Sequence, residues 1–185
     1  MFELDQFFID CRAALAEDRG GLAVRDVVAR AISKPSQVMH AIGEPTRAGI
    51  HRLHHSPELT IVNVVWGPMM TIYPHNHNMW AVIGIYSGRE DNVFWRRLPG
   101  KSERVEAAGA KSICEKDAVP LGRDIIHSVT NPIPRLTGAI HVYGGDFFNI
   151  DRSEWDPESL LECPYNVERA RKIFEASNRQ VAPAV

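Results

Sequence analysis

The chain has 185 residues, 44% hydrophobic and 24% charged, with 12 prolines and 13 glycines. This composition suits one folded unit with a substantial core and argues against two independent domains. The formal net charge of −2 gives no electrostatic reason to expect nucleic acid or an anionic membrane as partner. Cys11, Cys114 and Cys163 form no CxxC pair, which leaves out clustered-cysteine zinc sites, argues against a disulfide framework and suits a reducing compartment.

Residues 1–48 read as a helical segment packed on a barrel formed by the middle of the chain. Leu4, Phe7, Phe8, Cys11 and Leu15 recur at helical spacing until Gly20-Gly21. Val24, Val27, Val28 and Ala31 continue the pattern up to Ser33-Lys34-Pro35, and both stripes are expected to pack as core. The opening "MFELDQFFIDCRAALAEDRGG" carries acids where a signal peptide needs bases, and Arg12 interrupts its apolar run. No window approaches the roughly 18 apolar residues of a membrane span. The expectation is a cytoplasmic protein with no membrane or nucleic-acid partner; monomer and homo-oligomer stay open.

From residue 49 to about 155 the period changes. Short β-branched or aromatic runs ("LTIVNVVW", "MWAVIGIY", "NVFWRRL", "KSICE", "DIIHSVT", "TGAIHVYGG") alternate with turn material such as "HSPE", "SGRED", "LPGKSE" and "NPIPR". Roughly eight strands at this spacing predict a mainly β fold, an antiparallel barrel or jelly roll. "GREDNVFWRR" reads as an outward polar edge around a buried aromatic pair, and His54-His55 as turn surface. Residues 156–185 return to helical character in "SLLECPYNVERARKIFEASNRQ" and end in the loose tail "VAPAV".

The chemistry-bearing pattern is His75-x-His77, at the head of the run "MWAVIGIY". Residues i and i+2 of a strand share a face, so both imidazoles point one way and can hold one metal ion if a third ligand arrives. His127 stands in a strand-like run after the Pro-x-Gly turn of "VPLGRDIIHSVTNP" and is the candidate; Tyr73 shares the His75 face by the same alternation and would line the cavity. Imidazole suits iron, zinc, copper and nickel alike, so the donor type leaves the metal open. No Gly-x-Ser-x-Gly elbow, Gly-x-Gly-x-x-Gly run or P-loop appears.

These residues resemble the two cupin motifs. Gly67, His75, His77 and Gly88 fall into the first, with a longer first gap; Pro120, Gly122, His127 and Asn131 fall into the second. The resemblance implies a double-stranded β-helix with three metal-binding histidines. Three departures stand out: Ala81 occupies the glutamate slot, Cys114 replaces the leading glycine of the second motif, and two extra residues precede His127. Without the carboxylate, three neutral imidazoles leave a divalent ion its full +2 charge. Such a site favours an anionic ligand, a thiolate or an enolate, and leaves about three open positions on a six-coordinate ion.

The likeness extends to the thiol dioxygenases, the cysteine dioxygenase and 3-mercaptopropionate dioxygenase family. "NVVWGPMMTIYPHNH" is similar to their first ligand segment and "GAIHVYGGDFF" to their Ser-x-His-x-Tyr segment. The resemblance implies Fe(II) as cofactor, with another divalent metal such as zinc or nickel in a purified sample, and a small thiol plus O2 as substrates. It gives His141 and Tyr143 a hydrogen-bonded relay, with Ala139 in the serine slot. It offers two carboxylate-binding arginines: Arg52, near the cysteine-type slot, and Arg152, nine residues after Tyr143. No cysteine follows His77 in "NMWAVIG", so no cysteine–tyrosine crosslink is expected. Two rival readings of the scaffold are a three-histidine dioxygenase cleaving a carbon–carbon bond in a diketone and a non-catalytic metal-binding sensor.

Overall fold

The computed structural model describes residues 2–180; the predicted loose tail lies outside them. Three helices open the chain: α1 (Leu4–Glu17), α2 (Leu22–Ile32) and α3 (Pro35–Ile42). Asp18 sets the joint between the first two, its carboxylate accepting from the backbone N–H groups of Gly20, Leu22 and Ala23. These three donors hold the Asp18 pKa below its ordinary value and satisfy amides that the first turn of α2 leaves without partners. Pro35 interrupts the helical pattern between α2 and α3, as read from sequence. It begins α3, where its missing N–H costs nothing.

Eleven strands follow among the described residues: β1 (Gly49–His55), β2 (Thr60–Trp66), β3 (Thr71–Asn76), β4 (Ala81–Ser87), β5 (Arg89–Leu98), β6 (Lys101–Cys114), β7 (Ala118–Leu121), β8 (Ile126–Thr130), β9 (Thr137–Tyr143), β10 (Ser153–Trp155) and β11 (Glu162–Pro164). One sheet runs β1-β2-β9-β4-β7 and the other β11-β10-β3-β8-β5-β6, with antiparallel pairing throughout. Strands β2 to β9 thus interleave as β2-β9-β4-β7 over β3-β8-β5-β6. That is the eight-stranded jelly roll of the cupin double-stranded β-helix.

Two apolar layers explain the sequence patterns. Val62, Val64, Ile83, Ile85, Ala139 and Val129 fill the space between the sheets. Ile61, Val82, Ile140 and Val142 face the other way, against Val24, Val28 and Ile32 of α2 and Phe7 of α1. Strands β2 and β9 are therefore buried along their whole length, and they read as continuous apolar runs because both faces are covered.

The C-terminal region departs from the sequence reading. The helix predicted from "SLLECPYNVERAR" begins only at Val167, as α4 (Val167–Gln180). Before it, β10 and β11 form a small hairpin, and Glu154 of β10 pairs with His75 of β3. The hairpin extends the sheet on the side where the histidines stand. α4 then crosses to the start of β1, where the Asn178 amide both accepts from Ala48 N–H at 2.8 Å and donates to its carbonyl at 2.9 Å.

Candidate metal centre

His75 and His77 do not open the strand after the turn. They close β3, a strand absent from the sequence reading, with His77 one residue past its end. β8 lies beside β3 with His75 opposite His127, so the register that joins the two strands also joins the three rings. Ligand nitrogens of His75, His77 and His127 lie within 4.8 Å of one another. His77 Nε2 stands 3.2 Å from His75 Nε2 and 3.4 Å from His127 Nε2. Metal–nitrogen bonds of about 2.0–2.1 Å would set two ligating nitrogens roughly 2.9–3.4 Å apart between right-angled and tetrahedral geometry. The observed spacings fit.

Two of the rings are also turned for the task. His75 Nδ1 donates to the Tyr73 carbonyl at 2.9 Å, and His127 Nδ1 lies 2.6 Å from Asn92 Oδ1. A carbonyl oxygen only accepts, so both rings carry their proton on Nδ1 and turn a bare Nε2 inward. All three rings are buried. Burial lowers the pKa of His75 to about 4 and holds those of His77 and His127 well below the usual histidine range. Neutral imidazole is the form that binds metal, and three buried rings whose Nε2 atoms converge leave a place for a cation. These residues can hold a metal ion.

Ala81, in the position of the missing carboxylate, is buried in β4 and pairs with Tyr143 of β9. Its methyl group leaves that face to the Tyr143 ring, whose centroid is 5.0 Å from that of His77. Tyr143 Oη lies 3.0 Å from His141 Nδ1, so the two residues of the predicted relay are in contact. Burial pushes the Tyr143 phenol far above its ordinary pKa, which keeps it a proton donor. His141 Nε2 is buried with no close partner among the described residues; the nearest acid is Glu90, at 3.4 Å.

The two arginines part company. Arg52 lies exposed on the edge strand β1. Arg152 is sandwiched between Phe147 and Tyr165, its guanidinium carbon 4.1 and 4.0 Å from the two ring centroids. Those rings reach the triad: Tyr165 lies 6.0 Å from His75 and Phe147 6.1 Å from His77. Among the described residues no acidic side chain pairs with Arg152. Burial lowers its pKa, though guanidinium still stays charged. Two surface cavities, of about 710 and 400 Å³, share Arg152 and Tyr165 in their walls, so these two residues stand between the triad and solvent.

Tyr73 takes a different place from the one alternation suggests. β3 shifts register between Ile72 and His75, and the Tyr73 ring is covered by the Arg169 guanidinium at 4.3 Å. What Tyr73 brings to the triad is its carbonyl. "GREDNVFWRR" also needs correction. Glu90 and Asn92 are fully buried on the inner face of β5, where Asn92 touches His127. Strict alternation carried the signal, since it separates Glu90, Asn92 and Phe94 from Arg89, Asp91 and Val93. His54 and His55 belong to β1 and not to a turn; His55 bonds Asp146 at 2.8 Å.

No family model matches the chain. Among solved structures it is similar to an RmlC-like cupin family protein with a double-stranded beta-helix fold from Methanocaldococcus jannaschii (12% identity, TM-score 0.45, 56% of this chain and 84% of that one). It is also similar to a conserved protein with a double-stranded beta-helix domain from Klebsiella pneumoniae (13%, TM-score 0.45, 60% and 83%). A third is the oxalate decarboxylase of Bacillus subtilis (17%, TM-score 0.41, 51% and 23%). At such identities the likeness is one of fold only. The chemistry rests on the residues of the site.

Proposed function

We propose that this chain is a mononuclear non-haem iron dioxygenase that oxidises a small thiol carboxylate, of the cysteine or 3-mercaptopropionate type, to a sulfinate. The observation behind this reading is a buried three-imidazole centre without a carboxylate ligand, flanked by a half-buried arginine without an acidic partner among the described residues. Fe(II) on His75, His77 and His127 would supply oxygen activation and a +2 charge suited to a thiolate. The overall conversion of RS⁻ and O2 to RSO2⁻ balances with both oxygen atoms in the product, so no co-reductant is needed.

The side chains divide the remaining work. Arg152, a planar fork of donors held between two aromatic faces, takes the substrate carboxylate in bidentate fashion. Phe147 and Tyr165 fix that fork and exclude water. The Tyr143 hydroxyl, supported by His141, holds a proton on the His77 side of the site.

Oxygen uptake with small thiols tests the proposal. Losing one charged hydrogen-bonding partner costs on the order of 1.5–3 kcal/mol, about 10- to 150-fold in kcat/KM. Arg152→Ala should impair 3-mercaptopropionate or cysteine by that factor and barely change the carboxylate-free thiol cysteamine. If Arg52→Ala caused the selective loss and Arg152→Ala did not, the exposed arginine would be the reader. Oxygen uptake with a diketone and none with thiols would move the chain to carbon–carbon cleavage. Tight ligand binding without turnover would make it a sensor.

A further inference from the structure

Glu90 is completely buried and, among the described residues, pairs with no arginine or lysine. Its Oε2 accepts from the Trp66 indole N–H at 2.7 Å, and its Oε1 accepts from the Asn92 amide at 2.9 Å. The other end of the Asn92 amide meets His127 Nδ1 at 2.6 Å. The same Oε2 is 3.4 Å from His141 Nε2, a buried nitrogen that makes no hydrogen bond among the described residues. One carboxylate therefore heads a hydrogen-bonded chain that ends on a triad histidine, and it is also the nearest acid to the histidine that touches Tyr143.

We propose that Glu90 is a positioning residue which sets the tautomers of both His127 and His141. The reasoning is directional. A carboxylate only accepts hydrogen bonds, so Asn92 must turn its NH2 towards Glu90 and its carbonyl oxygen towards His127. That oxygen in turn requires the proton on Nδ1 of His127 and leaves Nε2 bare for a metal. Beside His141, the negative Oε2 at 3.4 Å favours the tautomer with its proton on Nε2, which leaves Nδ1 to accept from the Tyr143 hydroxyl. The inference rests on the reading of His75, His77 and His127 as a metal site and is independent of which thiol is oxidised.

Glu90→Gln breaks the direction at one step. If the new amide oxygen still accepts from Trp66, the new NH2 faces the Asn92 NH2. Asn92 must then flip, present its own NH2 to His127 and force the proton onto Nε2. Glu90→Gln combined with Asn92→Asp restores the pattern: the introduced glutamine donates its NH2 to one oxygen of the introduced aspartate, and the other oxygen accepts from His127. Calorimetric titration of the metal-free full chain with Co²⁺ reads the difference. The expected result is a roughly 10–100-fold weaker Co²⁺ affinity for Glu90→Gln and recovery to near the wild-type value in the double variant. Long-range 1H–15N correlation spectra of the metal-free wild type should show His127 protonated on Nδ1 and His141 on Nε2. Equal Co²⁺ affinity in the wild type and Glu90→Gln, no recovery in the double variant, or the opposite His127 tautomer in the wild type would each overturn the proposal. A wild type that fails to bind Co²⁺ would instead remove the metal-site reading itself.

Discussion

At the scale of single residues, the site separates groups that hold a metal from groups that act beside it. Replacing His75, His77 or His127 by alanine removes one of three neutral donors. Tight stoichiometric metal binding should be lost while the far-ultraviolet circular dichroism persists, because the apolar layers on both faces of the main sheet are untouched. A triple variant retaining one equivalent of metal would show the ligands to be elsewhere. Tyr143→Phe keeps the ring that packs on His77 and Phe147 and removes only the hydroxyl. Its metal content should match wild type while kcat with the best thiol falls ~10²-fold, the loss typical of a positioned proton donor. An unchanged kcat would reduce Tyr143 and His141 to packing.

At the scale of elements, α2 fits against β4 because Gly84 has no side chain. A Cβ there would meet Val28 Cγ1 at 2.4 Å and Ile32 Cδ1 at 3.2 Å. Gly84→Ala should therefore cost about 1–3 kcal/mol through overpacking, seen as a lower urea midpoint with an unchanged slope. Gly109, in the long strand β6, has nothing within 4 Å of such an atom. Gly109→Ala should leave stability equal or raise it by a few tenths of a kcal/mol up to about 1. Equal effects at the two positions would mean that α2 does not sit on β4 as described. The period of α2 and the mixed burial of its face were readable in Val24, Val27 and Val28. The β10–β11 hairpin was not, because "SEW" and "ECP" are too short to carry a period of their own. They are strands only because β3 offers β10 an edge.

For the molecule as a whole, the buried triad couples stability to pH. The folded chain keeps His75 neutral down to about pH 4 and holds His77 and His127 neutral well below their ordinary range. The unfolded chain protonates all three below about pH 6.5. The unfolded state thus binds more protons as pH falls, so the stability is fully present above pH 6.5 and drains away towards pH 4. Each such histidine contributes about 1.4 kcal/mol per pH unit, a sum of about 4 kcal/mol per unit against a typical total of 5–15 kcal/mol. The urea midpoint of metal-free protein should be level from pH 8 to 7 and drop steeply from pH 6.5 to 5. A flat profile through that window would mean that the three rings are not held as buried neutral bases.

The local pattern carried most of the architecture. Apolar periods, turn residues and the double burial of "LTIVNVVW" and "TGAIHVYGG" depend on each residue's own side chain and near neighbours, so helices, barrel strands and the His-x-His pair could be read along the chain. Residues separated by a long span of sequence could not be matched that way. Only the pairing of β3 with β8 sets His75 opposite His127, and only the register shift in β3 turns the Tyr73 ring out while leaving its carbonyl on His75. Only closure of the barrel brings Glu90 and Asn92 of β5 between Trp66, His127 and His141. The reason is physical: a charged or polar residue in an alternating strand looks the same whether its face meets water or the barrel interior. Which face is dry is decided by the second sheet, and no stretch of sequence contains both.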